Sequence, residues 1–314
     1  MQINQRRAIS SKQHNLVKQI RRDHQLIIMS IPVILFFLVF HYAPMGGLLI
    51  AFVDFKPMRG IFGSHFVGFK HFQSVFTNPF FPRLLSNTFM IGVQTLVWSF
   101  PIPIIFALCV NEVRSSRMKK VVQTISYMPY FISVVVIVGL MISFLSPTTG
   151  VVNMLYTRIT NNDAVNFMTE AKYFRFLYIF SHIWQTFGWN SIIYFAALTN
   201  VDPMLYDSAK VDGANRIQQL IHITLPSIRA TILIMLLLNM GNMMSVGYEK
   251  IILMYSPGIY EVADVISTFT YRRGIVQSDY SYGTAIGLFN SAINLVFIFG
   301  SNWLSRRFAE TSLW

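Results

Sequence analysis

Six long apolar stretches, separated by polar gaps, constrain this chain more than any other feature of its sequence. Each stretch is long enough for the roughly 20 residues that a helix needs to cross the hydrocarbon core of a bilayer. The pattern therefore predicts an all-α membrane protein with six transmembrane helices. The stretches run over residues 26–53, 84–110, 121–145, 177–200, 230–255 and 283–304.

The composition excludes a soluble protein. Hydrophobic residues make up 54% of the 314 residues and charged residues only 12%, whereas about a quarter of the residues in soluble domains are charged. The net charge of +12 would fit a nucleic-acid-binding protein only if a soluble domain carried a basic face, so no nucleic acid partner is expected. The single Cys109 and the scattered histidines predict neither a disulfide framework nor a metal site.

Lysine and arginine set the predicted orientation, because they collect in cytoplasmic loops. They cluster in the N-terminal tail, in the 111–120 loop, in the 201–229 loop and at the C-terminal end. Both termini are therefore predicted to be cytoplasmic, and the first apolar stretch is predicted to stay as a spanning helix because no signal-peptide cleavage site follows it. The predicted regions are a basic tail at 1–25, a first helix and extracellular loop at 26–83, a five-helix core at 84–306 and a tail at 307–314.

The 201–229 loop is long and regular for a connection between spanning helices. Asp202 followed by Pro203 is typical of a helix start, with an N-cap acceptor and a proline in the first turn. Gly213 suits a left-handed stop, so PMLYDSAKV predicts one short helix and ANRIQQLIHI a second, before a span that starts near residue 224. An ordinary connecting loop is the alternative, although such loops are usually shorter.

The same loop resembles the EAA signature of ABC importer permeases, including the gap of nine residues between its glycine and its Ile-x-Leu-Pro end. The matching residues are Asp207, Ser208, Ala209, Asp212, Gly213, Ala214, Ile223, Leu225 and Pro226. Two positions depart from the signature, since aspartate stands at 207 for the usual glutamate and serine at 208 for the first alanine. Other segments, such as FHYAPMGGLLIAFVDF and FALCVNEVRSSRMKKVVQTISYMPYFIS, resemble the oligosaccharide/aldouronate-like branch of the maltose-type permeases.

The resemblance implies a type I ABC importer permease fold and a place in the bacterial plasma membrane beside a second permease subunit. It implies that the loop docks into a cytoplasmic ATP-binding subunit dimer, which holds ATP and Mg, and that an extracellular solute-binding protein delivers an oligosaccharide. The chain itself contains no G-x-x-x-x-G-K-[ST] phosphate loop, the motif that cradles nucleotide phosphates. We therefore expect this chain to bind no cofactor and to be no enzyme.

Polar side chains inside the apolar stretches are the candidate substrate pathway, because such groups are costly in lipid. Aromatic faces suit the C–H patches of a sugar, and amides suit its hydroxyls. The alternative is that the amides join helices, at about 0.6 kcal/mol each. The candidates are Gln185, Trp189, Asn190, Tyr194, Asn239, Asn242, Tyr248, Glu249, Asn290 and Asn294.

Glu249 is the most distinctive of these candidate residues, because a carboxylate at membrane depth is rare. An ion pair with the adjacent Lys250 is favoured over contact with a ligand, and a carboxylate there argues against an acidic sugar at that position. Two other functions stay open. An ion-coupled secondary transporter needs midplane carboxylates and broken helices in paired repeats, and a non-transporting scaffold that docks a cytoplasmic partner leaves the polar helix faces unexplained.

Overall fold

The computed structural model describes residues 22–309, which are predominantly helical. The predicted tails at 1–25 and 307–314 lie largely outside these residues. The chain forms two compact units, Met1–Gly68 and Phe69–Trp314.

The described part of the first unit is an apolar helix followed by a small hairpin. The helix is long and apolar enough to cross a membrane, and none of its most apolar window is buried by the rest of the chain. A strand pair follows, in which Val53 pairs with Phe66 in antiparallel register. The elements are α1 (His24–Phe37), a π turn (Leu38–Tyr42), α2 (Ala43–Met45), a 3-10 turn (Gly46–Phe52), β1 (Val53–Asp54) and β2 (His65–Phe66).

The described part of the second unit consists of helices joined by turns. They are α3 (Lys70–Phe76), α4 (Phe81–Ser99), α5 (Pro101–Asn111), α6 (Ser116–Tyr127), α7 (Val134–Leu145), α8 (Val151–Thr160), α9 (Ala171–Asn190), α10 (Ile192–Thr199), α11 (Pro203–Val211), α12 (Arg216–Gln219), α13 (Leu225–Gly241), α14 (Tyr248–Met254), α15 (Tyr260–Ala263), α16 (Ile266–Thr270) and α17 (Tyr280–Ala309). Tighter 3-10 turns lie at Met128–Phe131 and Pro257–Ile259, and wider π turns at Leu220–Thr224 and Tyr271–Val276.

Four helices of the described residues are long and apolar enough to span a membrane. They are His24–Phe52, Phe81–Asn111, Arg216–Gly241 and Tyr280–Trp303. A fifth span results if α6 and α7, which meet at a bend of 96°, count as one. The fourth predicted stretch, 177–200, forms α9 and α10 but is not among them, because its polar side chains lower its hydropathy.

Two of the predicted stretches are interrupted by more than one non-helical residue. The third, 121–145, bends because Pro129 lies in a 3-10 turn and Ser133 then caps a new helix, its hydroxyl accepting a hydrogen bond from the Val136 amide. The fifth, 230–255, is wrong as one helix, because α13 ends at Gly241 and α14 begins only at Tyr248. Apolar composition alone marks neither break.

A buried ionic network fixes the segment that follows α14. The guanidinium of Arg272 contacts both carboxylate oxygens of Asp264, at 2.6 and 3.3 Å. Thr268 donates to the same carboxylate, and Asn87 of α4 donates to the Asp264 carbonyl oxygen. Only 3% of the Asp264 side chain is exposed, so this pair ties α16 and the π turn after it to α4.

Candidate functional site

The first helix of the 201–229 loop starts where the sequence predicted. The side chain of Asp202 accepts a hydrogen bond from the Met204 amide at 2.9 Å, and Pro203 occupies the first position of α11. Since the first helical amides lack partners within the helix, the aspartate cap and the proline together fix its beginning.

The turn after α11 depends on a glycine. Gly213 has φ of +78°, a left-handed conformation that a residue with a Cβ adopts only at a cost. Its amide donates to the Lys210 carbonyl at 3.1 Å, and the Ala214 amide donates to the Ala209 carbonyl at 2.8 Å. This pair of bonds is a Schellman motif, which ends the helix and reverses the chain.

The second helix of the loop begins with a capping box that the sequence reading missed. The Asn215 side chain accepts from the Gln218 amide at 2.9 Å, and the Gln218 side chain accepts from the Asn215 amide at 2.8 Å. The signal in the sequence is Asn-x-x-Gln, the spacing of a cap residue and its partner three positions later.

The second helix does not stop before the next span. It runs from Arg216 through the π turn Leu220–Thr224 into α13 and ends at Gly241. A proline in an α-helix removes one hydrogen bond and clashes with the preceding turn, and the π turn before Pro226 gives local room for it. The predicted separation of a second loop helix from a span starting near residue 224 is therefore wrong.

The tip of the loop exposes apolar side chains beside polar ones. Val211 is 88% exposed, Met204 72% and Ile217 68%. Asp207 is exposed and forms an ion pair with Lys210 at 2.9 Å. Of the other signature residues, Ser208, Asp212, Gly213 and Pro226 are exposed, and Ala209, Ala214, Ile223 and Leu225 are half-buried.

Contacts brace the loop from two sides. The Tyr206 and Thr224 hydroxyls lie 2.9 Å apart and connect the two loop helices. Arg216 contacts Glu112, which follows α5, at 3.4 Å. The 111–120 loop and the 201–229 loop enclose a cleft of about 700 Å³ between them.

A polar cavity of about 180 Å³ lies between α4, α9 and the end of α13. Two predicted pathway residues, Asn239 and Asn242, line it. Each donates its side-chain N–H to a carbonyl of its own helix. These bonds leave the side-chain oxygen able to accept a hydrogen bond from a ligand. The full lining is Gly92, Thr95, Leu96, Ser99, Tyr178, His182, Asn239, Asn242, Met243, Ser245, Val246 and Gly247.

The α4 wall of this cavity was missed from sequence. Thr95 and Ser99 lie on it, and the Thr95 hydroxyl oxygen is buried without a hydrogen-bond partner in the described part of the chain. Position 92 accommodates only glycine, because a Cβ there would collide with the Met243 carbonyl oxygen. The available signal was the spacing of Gly92, Thr95 and Ser99, which lie three and four residues apart on one helix face.

The predicted residues of the fourth stretch lie elsewhere. Gln185 donates to the Ile132 carbonyl at 3.1 Å, and the Trp189 ring stacks on Tyr130 with centroids 4.6 Å apart. Both therefore hold the bend between α6 and α7. Asn190 is exposed at the end of α9, and Tyr194 is 2% exposed in a hydrophobic cluster with Ala107, Leu198 and Ile228.

Asn290 and Asn294 of α17 join helices, as the alternative interpretation of the amides had it. The Asn294 side chain accepts from the Met244 amide at 3.3 Å and donates to the Ser245 hydroxyl at 3.0 Å. Asn290 donates to the Met244 carbonyl at 3.5 Å. These bonds hold the turn between α13 and α14, which forms one wall of the cavity.

The two remaining candidates lie on α14, away from the cavity. The Tyr248 ring stacks on Tyr271 at 5.7 Å and lines a separate hollow of about 320 Å³. Glu249 is exposed in the first turn of the helix, where the helix dipole favours a negative charge. The predicted Glu249–Lys250 ion pair is not formed, because Lys250 is buried and its Nζ has no partner among the described residues.

Residues 99–310 match the family model described as "Binding-protein-dependent transport system inner membrane component". The chain belongs to this family. The resemblance found in the sequence is thereby confirmed, and the chain is a multi-pass membrane protein whose relatives are permease subunits, transporters rather than enzymes.

Two proteins of Bacillus subtilis (strain 168) are similar over nearly their whole length. Protein LplB is 41% identical over 294 residues, 94% of this chain and 92% of that protein. The polygalacturonan/rhamnogalacturonan transport system permease protein YteP is 41% identical over 299 residues, 95% of this chain and 92% of that protein.

Two solved structures share the fold. A crystal structure of a bacterial ABC transporter involved in the import of the acidic polysaccharide alginate has a chain 44% identical to this one, with a TM-score of 0.86, covering 94% of this chain and 99% of that one. A second, of a bacterial alginate ABC transporter in complex with an alginate-pentasaccharide-bound periplasmic protein, gives 44% identity and a TM-score of 0.85. The type I ABC importer permease fold is therefore confirmed.

Proposed function

We propose that this chain is the transmembrane permease subunit of an ATP-driven importer that moves an oligosaccharide from an extracellular binding protein into the cytoplasm. It works beside a second, distinct permease subunit in the bacterial inner membrane. The names of the similar proteins support a sugar cargo, since they refer to alginate, polygalacturonan and rhamnogalacturonan.

The observation that carries this proposal is the tip of the 201–229 loop. A short helix, a Schellman turn and a capping box present Val211, Met204 and Ile217 to the outside of the chain. Exposed apolar groups on an ordered polar loop favour a protein partner. A cytoplasmic ATP-binding subunit that holds ATP and Mg is that partner, and its closure moves the loop.

We infer six spans with both termini in the cytoplasm. The four long apolar helices are four of these spans, and the α6–α7 pair and the α9–α10 pair are the other two. With this topology the loops around residues 111–120 and 201–229 face the cytoplasm. The polar cavity then lies towards the outer end of α13, where a sugar arrives from the binding protein.

The experiment is purification of the tagged chain from native membranes in mild detergent, with partners identified by mass, followed by uptake in proteoliposomes. We expect to recover an ATPase and a second permease, and to measure ATP-dependent oligosaccharide uptake. Recovery of the chain alone, with uptake driven by an ion gradient, would overturn the proposal.

A pair of variants locates the docking surface. Val211→Asp is expected to reduce the recovered ATPase at least tenfold while the second permease stays bound, since it places a charge in an apolar contact. Met58→Asp changes a side chain that is 98% exposed in the predicted extracellular region, and is expected to retain both partners. Equal ATPase recovery with the two variants would exclude Val211 from the contact.

A further inference from the structure

A buried cation lies beside the polar cavity. Lys250 is 6% exposed, and its Nζ has no hydrogen-bond partner in the described part of the chain. Long basic side chains usually extend their charged end to water, and an ammonium taken out of water is costly unless a partner offsets it. The next residue, Ile251, is completely buried in a hydrophobic cluster, so α14 holds this lysine against the interior.

No carboxylate neutralises this charge within residues 22–309. Glu249 is exposed, and no ion pair to Lys250 forms there. The Tyr178 ring is an attractive group beside this charge, and its centroid lies 5.8 Å from Nζ.

Lys250 lies next to the cavity, on the side formed by Tyr178. Tyr178 and His182 both line the cavity, and Tyr178 is also the ring that the ammonium approaches. None of the described lining residues carries a carboxylate. The cavity thus combines hydroxyl and amide groups on its surface with an unneutralised positive charge close behind.

We propose that Lys250 is a specificity-determining residue that makes this cavity selective for oligosaccharides bearing carboxylates, such as chains of uronic acids. The inference rests on the proposed function and adds the charge class of its cargo. A carboxylate in the cavity supplies the negative charge that the protein does not. Asn239 and Asn242 then bond to sugar hydroxyls. Salt screens a buried charge much less than an exposed one, so an ammonium in partly apolar surroundings attracts a carboxylate in the adjacent cavity.

The test measures uptake by the intact importer of three probes of equal length. They are trigalacturonate, its methyl ester, which has the same sugar rings without the charges, and maltotriose as an unrelated neutral sugar. The unmodified importer is expected to take up trigalacturonate at least tenfold faster than the ester.

Two substitutions isolate the charge. Lys250→Met keeps the length of the side chain and removes the ammonium, and is expected to lower trigalacturonate uptake about tenfold while ester uptake stays unchanged. Lys250→Arg keeps the charge and is expected to retain the preference. Immunoblots of the membrane fraction and recovery of the partner subunits show that each variant has folded and assembled.

The outcomes separate this inference from the proposed function. A preference of the unmodified importer for either neutral probe, or an equal fall in all uptake with Lys250→Met, would overturn the role of Lys250 and leave sugar import standing. Absence of ATP-dependent uptake of all three probes would overturn the proposed function and this inference with it.

Discussion

At the scale of single residues, the sequence predicted helix caps and turns but not which side chains are buried. Asp202 caps the Met204 amide with its side chain, Pro203 needs no amide partner, and Gly213 adopts a left-handed turn. These are local effects, so the sequence alone predicted where the helix begins and ends. Glu249 and Lys250 are adjacent in sequence but differ in exposure, and which of them turns inward depends on the packing of α14. A pattern of charges carries no information about that packing.

Gly213→Val is expected to abolish uptake while the protein still inserts into the membrane. A residue with a side chain in the left-handed region costs about 1–2 kcal/mol, and a β-branched residue costs more, so the turn that orients the loop tip would rearrange. Uptake should fall at least tenfold at an unchanged level of membrane protein. Gly139→Val is the matched control, because its added Cβ meets no atom within 4 Å apart from the backbone of its own helix and its chain neighbours. Unchanged uptake with Gly213→Val would contradict a coupling role.

Asp264→Asn is expected to destabilise the protein by about 3–5 kcal/mol, because it leaves the Arg272 guanidinium partly buried without a counter-charge. Thermal unfolding of the purified protein in detergent measures the loss. The control is Glu170→Gln, which removes an exposed ion pair with Lys172 and should leave the melting temperature nearly unchanged, because water and salt screen such pairs. Equal shifts in the two melting temperatures would show that the Asp264 pair adds no particular stability.

At the scale of elements, hydropathy located the apolar segments but not their breaks. The bend at residues 132–133 depends on Pro129 and the Ser133 cap, and the end of α13 depends on a turn held by Asn294 from another helix. The opposite error occurred at Pro226, where a proline suggested a boundary and the chain stays helical. Both kinds of error arise because a helix boundary reflects hydrogen bonding rather than polarity.

Whether the continuous helix from Arg216 to Gly241 must be rigid for transport can be tested by lowering its helix propensity. Replacing Leu220 and Ile221 together by glycine removes helix propensity worth about 2 kcal/mol relative to alanine where the helix leaves the loop. We expect uptake to fall at least tenfold while the ATPase still co-purifies. The double alanine variant removes the same side chains and should retain most of the uptake, and an equal loss in the two variants would show that the side chains matter rather than the stiffness.

At the scale of the whole molecule, the distribution of exposed apolar surface predicts where other molecules lie. The membrane-spanning window of His24–Phe52 buries none of its residues in the chain, which requires lipid or another subunit around it. In the proposed function, a protein covers the exposed apolar side chains of the loop tip. The sequence predicted the membrane class and the family correctly, because both depend on composition and on a local motif. The polar cavity depends on three helices distant in sequence, and only two of its lining residues were among the predicted pathway residues.

Labelling of single cysteines tests the topology. In a Cys109→Ser background, which removes the one native cysteine, Ser116→Cys and Thr148→Cys place thiols at opposite ends of the α6–α7 pair. We expect a membrane-impermeant maleimide to label Thr148→Cys in intact cells and Ser116→Cys only after permeabilisation. Labelling of both from the same side would make the bent pair re-entrant and reduce the number of spans.

The unbroken helix from the capping box to the cavity has a mechanical consequence. At 1.5 Å per residue, its 26 residues form a lever roughly 39 Å long. Its near end is the loop that Asn215 caps, and its far end carries Asn239 and Asn242. A tilt of about 5° at the near end displaces the far end by roughly 3 Å for a lever of this length. That distance is comparable to the length of a hydrogen bond. In the proposed topology, a small rotation at the cytoplasmic end is therefore enough to make or break a contact with the sugar at the far end.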